Sequence, residues 1–435
     1  MVRFTQRSSM RARSLFSGLT VTAVSAGFAG SLAAQGAPPV TRVSMSDAVR
    51  LTVDRNQSLR AQRLTIDQAK ADETTAALKP NPGLALGADG FMPFSPRQIT
   101  WDFLRNNVSY SSSLSYLFER GGKRLKRTTV AEDSTEVARR TVLDVERQLR
   151  FQAEQAFVNA LLAKSTLEKA QENLKSFSEV VEISQQRVTA GDLAQGEFYK
   201  ISLQKLQFEQ DVSGAQVGLI QAKASLRQLM GFETVADAFE LDGDLKFAPY
   251  SLNLEDLKRL ALENRPDLQA AHTGLQLAQD TLTLEKGNAA RDLSGSVDYT
   301  RTGPDNTVGA GIAIDLPFHD RNQGNIARSE IGVRQAVESE NAARFAVVTD
   351  VVNAYASFDT NRQVVALYQS GYLDQAKQSL DITTYVYQHG AGTLLDLLDA
   401  ERTYRATELA YRQALAAYMT SLRQLNFAVG RQVIP

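Results

Sequence analysis

Asp396 and Asp399 stand three residues apart in Thr393-Leu394-Leu395-Asp396-Leu397-Leu398-Asp399-Ala400, a spacing that puts both carboxylates on one helix face. Acids this close to a helix start are favoured by its dipole, so capping and solvation alone would account for them. His272, His319 and His389 are the only histidines, and no two lie at metal-ligand spacing. They read as incidental polar residues, and no metal site is expected. The chain has no cysteine, no HExxH, no GxSxG and no phosphate-cradling glycine loop. No catalytic residue and no cofactor is expected, which argues against an enzyme.

Those residues sit in a chain of 435 residues with a formal net charge of −1 and no basic block, which argues against nucleic acid as a partner. Arg3, Arg7, Arg11 and Arg13 precede an apolar or small stretch, 15–32, and Ser31-Leu32-Ala33-Ala34 offers a small-residue cleavage site. Residues 1–34 therefore read as a secretory signal peptide. Past it there is no apolar run of about 18 residues, so no membrane-spanning helix is expected.

The element that organises the rest is a helix from about Lys123. Between residues 149 and 188, steps of four and three fall on Leu149, Ala153, Ala156, Ala160, Ala163, Leu167, Ala170, Leu174, Phe177, Val181, Ser184 and Val188. All but Ser184 are apolar or Ala, with no Gly or Pro, which makes a seam for a second helix. At 1.5 Å per residue this helix is roughly 100 Å long. A turn containing Gly191 and Leu193 ends it. A return helix follows with one stripe at Ile201, Phe208, Leu226 and neighbours, and a second at Leu203, Leu206, Val217, Ile220 and Ala224. Two stripes imply neighbours on two flanks, as in a tube of helices.

Upstream, one helix is expected from Ser44, capped by Ser46-Asp47, to the breaker at Pro80. Leu84 and Leu86, then residues 108–118, alternate with period two and read as strands. The pattern then restarts: a helix near Asp256, strands at 293–302 and 308–316, one unbroken helix from 324 to 388, a turn at Gly390, and a return helix from Leu394 to Val429. The expected division is 35–242 for the first repeat, 243–252 for a connector and 253–435 for the second repeat.

Four strands cannot close a membrane barrel, for which about eight is the minimum. An open edge is not tolerated in lipid, so if the strands enter a membrane several copies must share one barrel. Two, three or four copies would each satisfy this. A soluble periplasmic coiled-coil scaffold would account for the helices but leave the repeated alternating strands unexplained.

The repeat, the four strands, the paired long helices and the leader together resemble the TolC family of outer-membrane efflux proteins over essentially the whole mature chain. Phe118-Glu119-Arg120-Gly121-Gly122-Lys123-Arg124 and the run Leu316-Pro317-Phe318-His319-Asp320-Arg321-Asn322-Gln323-Gly324-Asn325 are similar to the strand-to-helix junctions of its cobalt-zinc-cadmium resistance (CzcC-type) branch. The resemblance implies an α+β membrane fold. Four strands per chain would enter a shared trimeric β-barrel in the outer-membrane lipid of a Gram-negative bacterium, and helical hairpins would form a periplasmic α-barrel. It implies a passive duct working with a periplasmic adaptor and an inner-membrane pump of the resistance–nodulation–division type, with heavy-metal cations as cargo. Drug efflux or one-step protein secretion are the alternatives. The turns at Gly191, Leu193 and Gly390 would be the tips where the adaptor docks. Asp396 and Asp399 match aspartates that ring the periplasmic entrance, where three-fold symmetry gathers like charges that attract cations. Some closed channels carry an Arg two residues past the tip glycine, paired with an acid; here Gly392 stands there, opposite Glu197, so closure is expected to rest on helix packing and the acidic ring.

Overall fold

The computed structural model describes residues 40–90, 100–233 and 235–434. The expected leader (1–34) and residues 91–99 of the first strand connection lie outside them. In chain order the elements are β1 (Val40–Val43), α1 (Met45–Arg55), α2 (Gln57–Ala77), β2 (Gly83–Asp89), α3 (Trp101–Asn107), β3 (Ser109–Phe118), α4 (Lys123–Ala190) and α5 (Gln195–Met230). They are followed by β4 (Val235–Leu241), α6 (Leu254–Asn264), α7 (Pro266–Asn288), β5 (Leu293–Thr302), β6 (Asp305–Ile314), α8 (Gln323–Leu367), α9 (Leu373–Gln388) and α10 (Leu394–Val429).

α4 is 68 residues long, about 100 Å of continuous helix. Every position of its predicted seam is buried or half-buried, with Leu149, Ala153, Ala160, Phe177 and Ser184 fully so. α5 packs along α4 on the seam side, and α2 and α7 lie against its upper part before the seam, near Arg127, Asp133, Arg140 and Glu146. α10 lies against it as well.

Several local expectations are corrected. The helix near residue 44 is capped by Ser44, whose Oγ accepts from the Asp47 amide at 3.2 Å, while the Asp47 carboxylate accepts from the Ser44 amide at 3.4 Å. Ser46 plays no capping part. The helix is also broken at Asn56, whose extended backbone (ψ 123°) starts α2 afresh with its own side chain as cap. The same break recurs at Arg265, followed by Pro266 at the first position of α7. The helix expected without interruption from 324 to 388 is interrupted: a wider π-type turn spans Tyr368–Tyr372, and Gly371 sits at φ 123°, outside helical space. Strands β1 and β4, which pair in parallel, are too short to show a period. α3 was likewise not foreseen.

β2, β3, β5 and β6 form one antiparallel sheet in the order β2-β3-β5-β6. The register aligns Leu84, Leu114, Val297 and Ala310 across it. The apolar face of the alternation is turned outward: Leu86 is 76% exposed, Val308 75% and Ile312 77%. The other face carries Gly and Ser opposite one another, as in Gly87–Ser111 and Gly311–Ser296. A Cβ on Gly87 would stand 2.6 Å from Ser111 Oγ, so these pairs must stay small. Below the sheet, Asp292 accepts from Lys123 Nζ at 2.8 Å and from the Arg120 amide at 2.9 Å, and Arg127 pairs with Glu119 at 2.8 Å. These contacts fix the angle at which α4 leaves β3.

The apolar interior is several clusters strung along the helices. One joins α6, α8 and α10 around Val351, Phe358, Tyr418 and Leu425; another joins β1, α1, α4, α5 and β4 around Phe157, Met230 and Phe239. Arg265, buried at the α6–α7 break, reaches Asp350 at 2.8 Å and Asp267 at 3.0 Å and donates to the Ala428 carbonyl at 3.3 Å. One charged side chain thus ties α6–α7 to α8 and to the end of α10.

Higher on α4, Asp133 meets Asp280 of α7. Burial first, then the hydrogen bond and the charge of Asp280, push the Asp133 carboxyl up to about 6. Stability from a raised carboxyl is fully present below its unfolded value, near 4, and is lost as pH rises through about 6. Thermal unfolding should therefore shift downward between pH 4 and pH 7, and Asp133→Asn should flatten that dependence. An unchanged pH profile in the variant would remove the shared proton.

Candidate functional site

Both hairpins end in a left-handed backbone position, which glycine fills without strain. Gly191 sits at φ 85° and donates to the Val188 carbonyl at 3.1 Å, while the Asp192 amide donates to the Arg187 carbonyl at 2.8 Å. Gly390 repeats this at φ 76°, with the Ala391 amide donating to the Val386 carbonyl at 3.0 Å. The helix-closing motif releases the chain for the return helix. Both glycines are exposed.

Leu193 is different. It is buried in a cluster with Phe177, Val180, Ile201, Phe208, Tyr387 and Leu397, where Phe177 and Phe208 stack at 4.5 Å. It anchors the first turn from beneath and presents little surface of its own.

Arg187 brings the two turns together. Its Nη1 donates to the Tyr387 carbonyl at 3.0 Å, and its guanidinium lies 5.5 Å from the Tyr387 ring. The Tyr387 hydroxyl is 3.4 Å from Ser184 Oγ inside the seam. The sequence offers no latch at residue 392, where Gly392 stands opposite Glu197. Among the described residues Glu197 makes no ion pair, and a Cβ at Gly392 would stand 3.2 Å from the Tyr387 amide nitrogen. The tie runs instead from the last turn of α4 to the last turn of α9. A cation in a last helical turn is the one signal that could have pointed to it.

Asp396 and Asp399 are both exposed, on the first turns of α10. Asp396 is held by the helix cap: its amide donates to Thr393 Oγ1 at 3.2 Å, and that hydroxyl donates to Asp396 Oδ2 at 2.6 Å. Asp399 lines the groove between α10 and the first hairpin. Further up, Arg405 pairs with Asp211 of α5 and covers the Phe208 ring at 4.3 Å, and Lys169 of α4 is 3.4 Å from Glu408 of α10. Arg412 of α10 donates to Ser165 of α4. Below the clusters shared with α6 and β4, α10 is held to the first hairpin by these polar contacts and by the tip cluster.

The histidines are scattered. His272 is 2.9 Å from Glu340, His389 Nδ1 is 2.8 Å from the Tyr385 carbonyl, and His319 is exposed near the junction. Among the described residues no three His, Asp or Glu side chains converge as a metal centre.

Arg187→Ala removes a charge-assisted hydrogen bond of about 1.5–3 kcal/mol between the turns. It should speed proteolytic nicking at residues 389–392 by roughly ten- to a hundred-fold, the same free energy read as a rate. An unchanged nicking rate would mean that the tip cluster alone holds the turns.

The sequence matches the outer membrane efflux protein family over residues 48–232 and 257–431. It is 25% identical over 402 residues to the cobalt-zinc-cadmium resistance protein CzcC of Cupriavidus metallidurans, covering 91% of each chain. To the cation efflux system protein CusC of Escherichia coli it is 28% identical over 302 residues, 62% of this chain and 60% of that one. A crystal structure of CusC superposes with a TM-score of 0.74 at 18% identity, over 90% of this chain and 94% of the other. With its four-stranded sheet and paired long helices, this chain belongs to the outer membrane efflux protein family, which is one of TolC-like passive channels and not of enzymes.

Proposed function

We propose that this chain is the outer-membrane duct of a tripartite efflux system that exports heavy-metal cations. The observation that carries it is the sheet: four strands with an exposed apolar face, a small polar face and two unpaired edges, β2 and β6. In lipid those edges must be paired by further copies of the same sheet. Three copies make a twelve-stranded barrel with the Ser–Gly face lining the lumen. The helices supply matching flanks. α5 exposes Leu203, Leu206, Val217 and Ile220, and α8 and α9 expose Ile331, Phe345, Ile382 and Tyr385. Two different apolar flanks on one chain suit a head-to-tail ring.

In this reading the barrel lies in the outer membrane of a Gram-negative bacterium and the helices cross the periplasm. The turns at Gly191 and Gly390, stiffened by Leu193 beneath and Arg187 between, receive a periplasmic adaptor. An inner-membrane pump of the resistance–nodulation–division type supplies the energy. Asp396 and Asp399, repeated three times, ring the entrance and favour cations over anions. Metal cargo is supported by the names of the relatives, CzcC and CusC.

A strain lacking the gene should lose growth selectively on one or a few of zinc, cobalt, cadmium, nickel or copper, with recovery when the gene is returned. Sensitivity to drugs alone would discard metal as the cargo. In planar bilayers, Asp396→Asn with Asp399→Asn should reduce cation over anion selectivity several-fold. Unchanged selectivity would remove the acidic ring, and a monomer by light scattering in detergent would remove the shared barrel with it.

A further inference from the structure

The outward face of the sheet ends on one rung, where Phe118 of β3, Leu293 of β5 and Ile314 of β6 stand opposite one another. Phe118 is half exposed, and its ring meets that of Tyr116 edge-on at 4.9 Å. Beyond β6, Leu316 and Phe318 are exposed as well. A strand returns to the same face every second residue. Two residues past Phe118 is Arg120, and two before Leu293 is Arg291. Continued by that one step, the register sets the two arginines across from each other just below the last apolar rung. The Arg120 amide holds the two strand ends together there, donating to the Asp292 carboxylate at 2.9 Å.

Like charges opposite one another on neighbouring strands repel. The carboxylates of the junction are engaged elsewhere. Asp292 takes Lys123 Nζ at 2.8 Å, and Glu119 takes Arg127 at 2.8 Å. Asp320 accepts from the Asn322 amide at 2.8 Å, and Glu285 from Asn322 Nδ2 at 2.7 Å. Asp315, between Ile314 and Leu316, falls on the opposite face by the same alternation. Among the described residues the Arg120 side chain makes no hydrogen bond and no ion pair, and only the charge of Asp292 reaches it from farther away. Arg291 donates to the Asp320 carbonyl, a neutral acceptor, and its Nε is buried with no acceptor at all. The surplus extends past the pair. From 119 to 127 the chain carries five cations against one acid, on a protein whose formal net charge is −1.

We propose that Arg120 and Arg291 together hold the phosphate of an anionic phospholipid at the periplasmic end of the barrel, with its acyl chains against the apolar face above. This rests on the reading of that face as lipid-facing. A phosphodiester offers oxygens that two guanidiniums grip at once, and it lies where hydrocarbon gives way to water, the level marked by Phe118 and Phe318. The surplus of cations selects an anionic headgroup over a zwitterionic one, whose amine would bring a further positive charge into the cluster. One such lipid per chain relieves the repulsion between the arginines and braces the joint from which α4 departs.

The test is electron spin resonance of the full-length protein in phosphatidylcholine bilayers, with trace phosphatidylglycerol or phosphatidylcholine spin-labelled on an acyl chain. Both probes should show a motionally restricted fraction beside the barrel. Phosphatidylglycerol should be favoured by about three-fold, averaged over the lipids that touch the protein. Arg120→Gln with Arg291→Gln should bring the two probes level, while Arg105→Gln, at the far end of the sheet, should leave the preference intact. Equal restriction of the two probes by the unmodified protein overturns the site and leaves the barrel standing. So does a preference that survives the double substitution, or one that Arg105→Gln abolishes. No restricted fraction from either probe removes the barrel and the site together. If the double variant does not assemble, Arg120→Gln decides alone, and an undiminished preference then overturns the site.

Discussion

The unpaired edges of β2 and β6 constrain everything else in this molecule. A four-stranded sheet with one outward apolar face could stand in water only by covering that face. In lipid the face is satisfied at once, but the edge amides and carbonyls are not, and each costs several kcal/mol if left bare. Only closure removes the edge, and only further copies can supply the strands. On the opposite face Gly stands across from Ser and keeps the surface small and polar, as the lumen of the proposed barrel would need.

The helices inherit that geometry. α4 leaves β3 through Gly121-Gly122 under the ion pairs around Asp292, so the direction of the sheet sets the direction of about 100 Å of helix. Along it the packing changes character. Near the α6–α7 break and β4 the interior is aliphatic and aromatic, and one buried arginine, Arg265, joins three elements. Toward the tips the second hairpin meets the first through Arg405, Lys169 and Arg412, with a groove between them, and closes on a small apolar cluster below. Polar contacts that exchange with water cost little to break and re-form, whereas the aliphatic clusters above do not. Next to the interruption at Gly371, the Tyr368 ring meets that of Tyr411 of α10 at a tilt, 5.8 Å between centroids.

Family membership and this physical reading agree on a passive conduit. The chain's ionisable groups are spent on capping (Asp47, Asp396), on joining helices (Arg265, Arg187, Arg405) and on the junction under the sheet (Asp292). The exposed Asp399 and the buried Glu401 line the groove beside α10.

What the sequence determined by itself was whatever repeats with a period. The four-and-three seam from Leu149 to Val188 specified α4 to within two residues at its lower end, and the Ser alternation in 108–118 specified β3. Glycines past the last periodic residue, at 191, 231, 390 and 430, marked helix ends because no other residue closes a helix so cheaply. Tertiary structure decided what has no period. β1 and β4 exist because they pair with each other across nearly 200 residues, and neither is long enough to signal alone. At the breaks the side chains of Asn56 and Arg265 bond to distant carbonyls, those of Leu229 and Ala428, although Pro266 already marks the second break in the sequence. Leu193 looked like part of a docking tip because it adjoins the turn, yet packing turned it inward. Arg187 was an ordinary charge in a long helix until the fold set it beside the Tyr387 carbonyl. A period records which face of an element is buried, but a single contact between distant elements leaves no trace in the spacing of either.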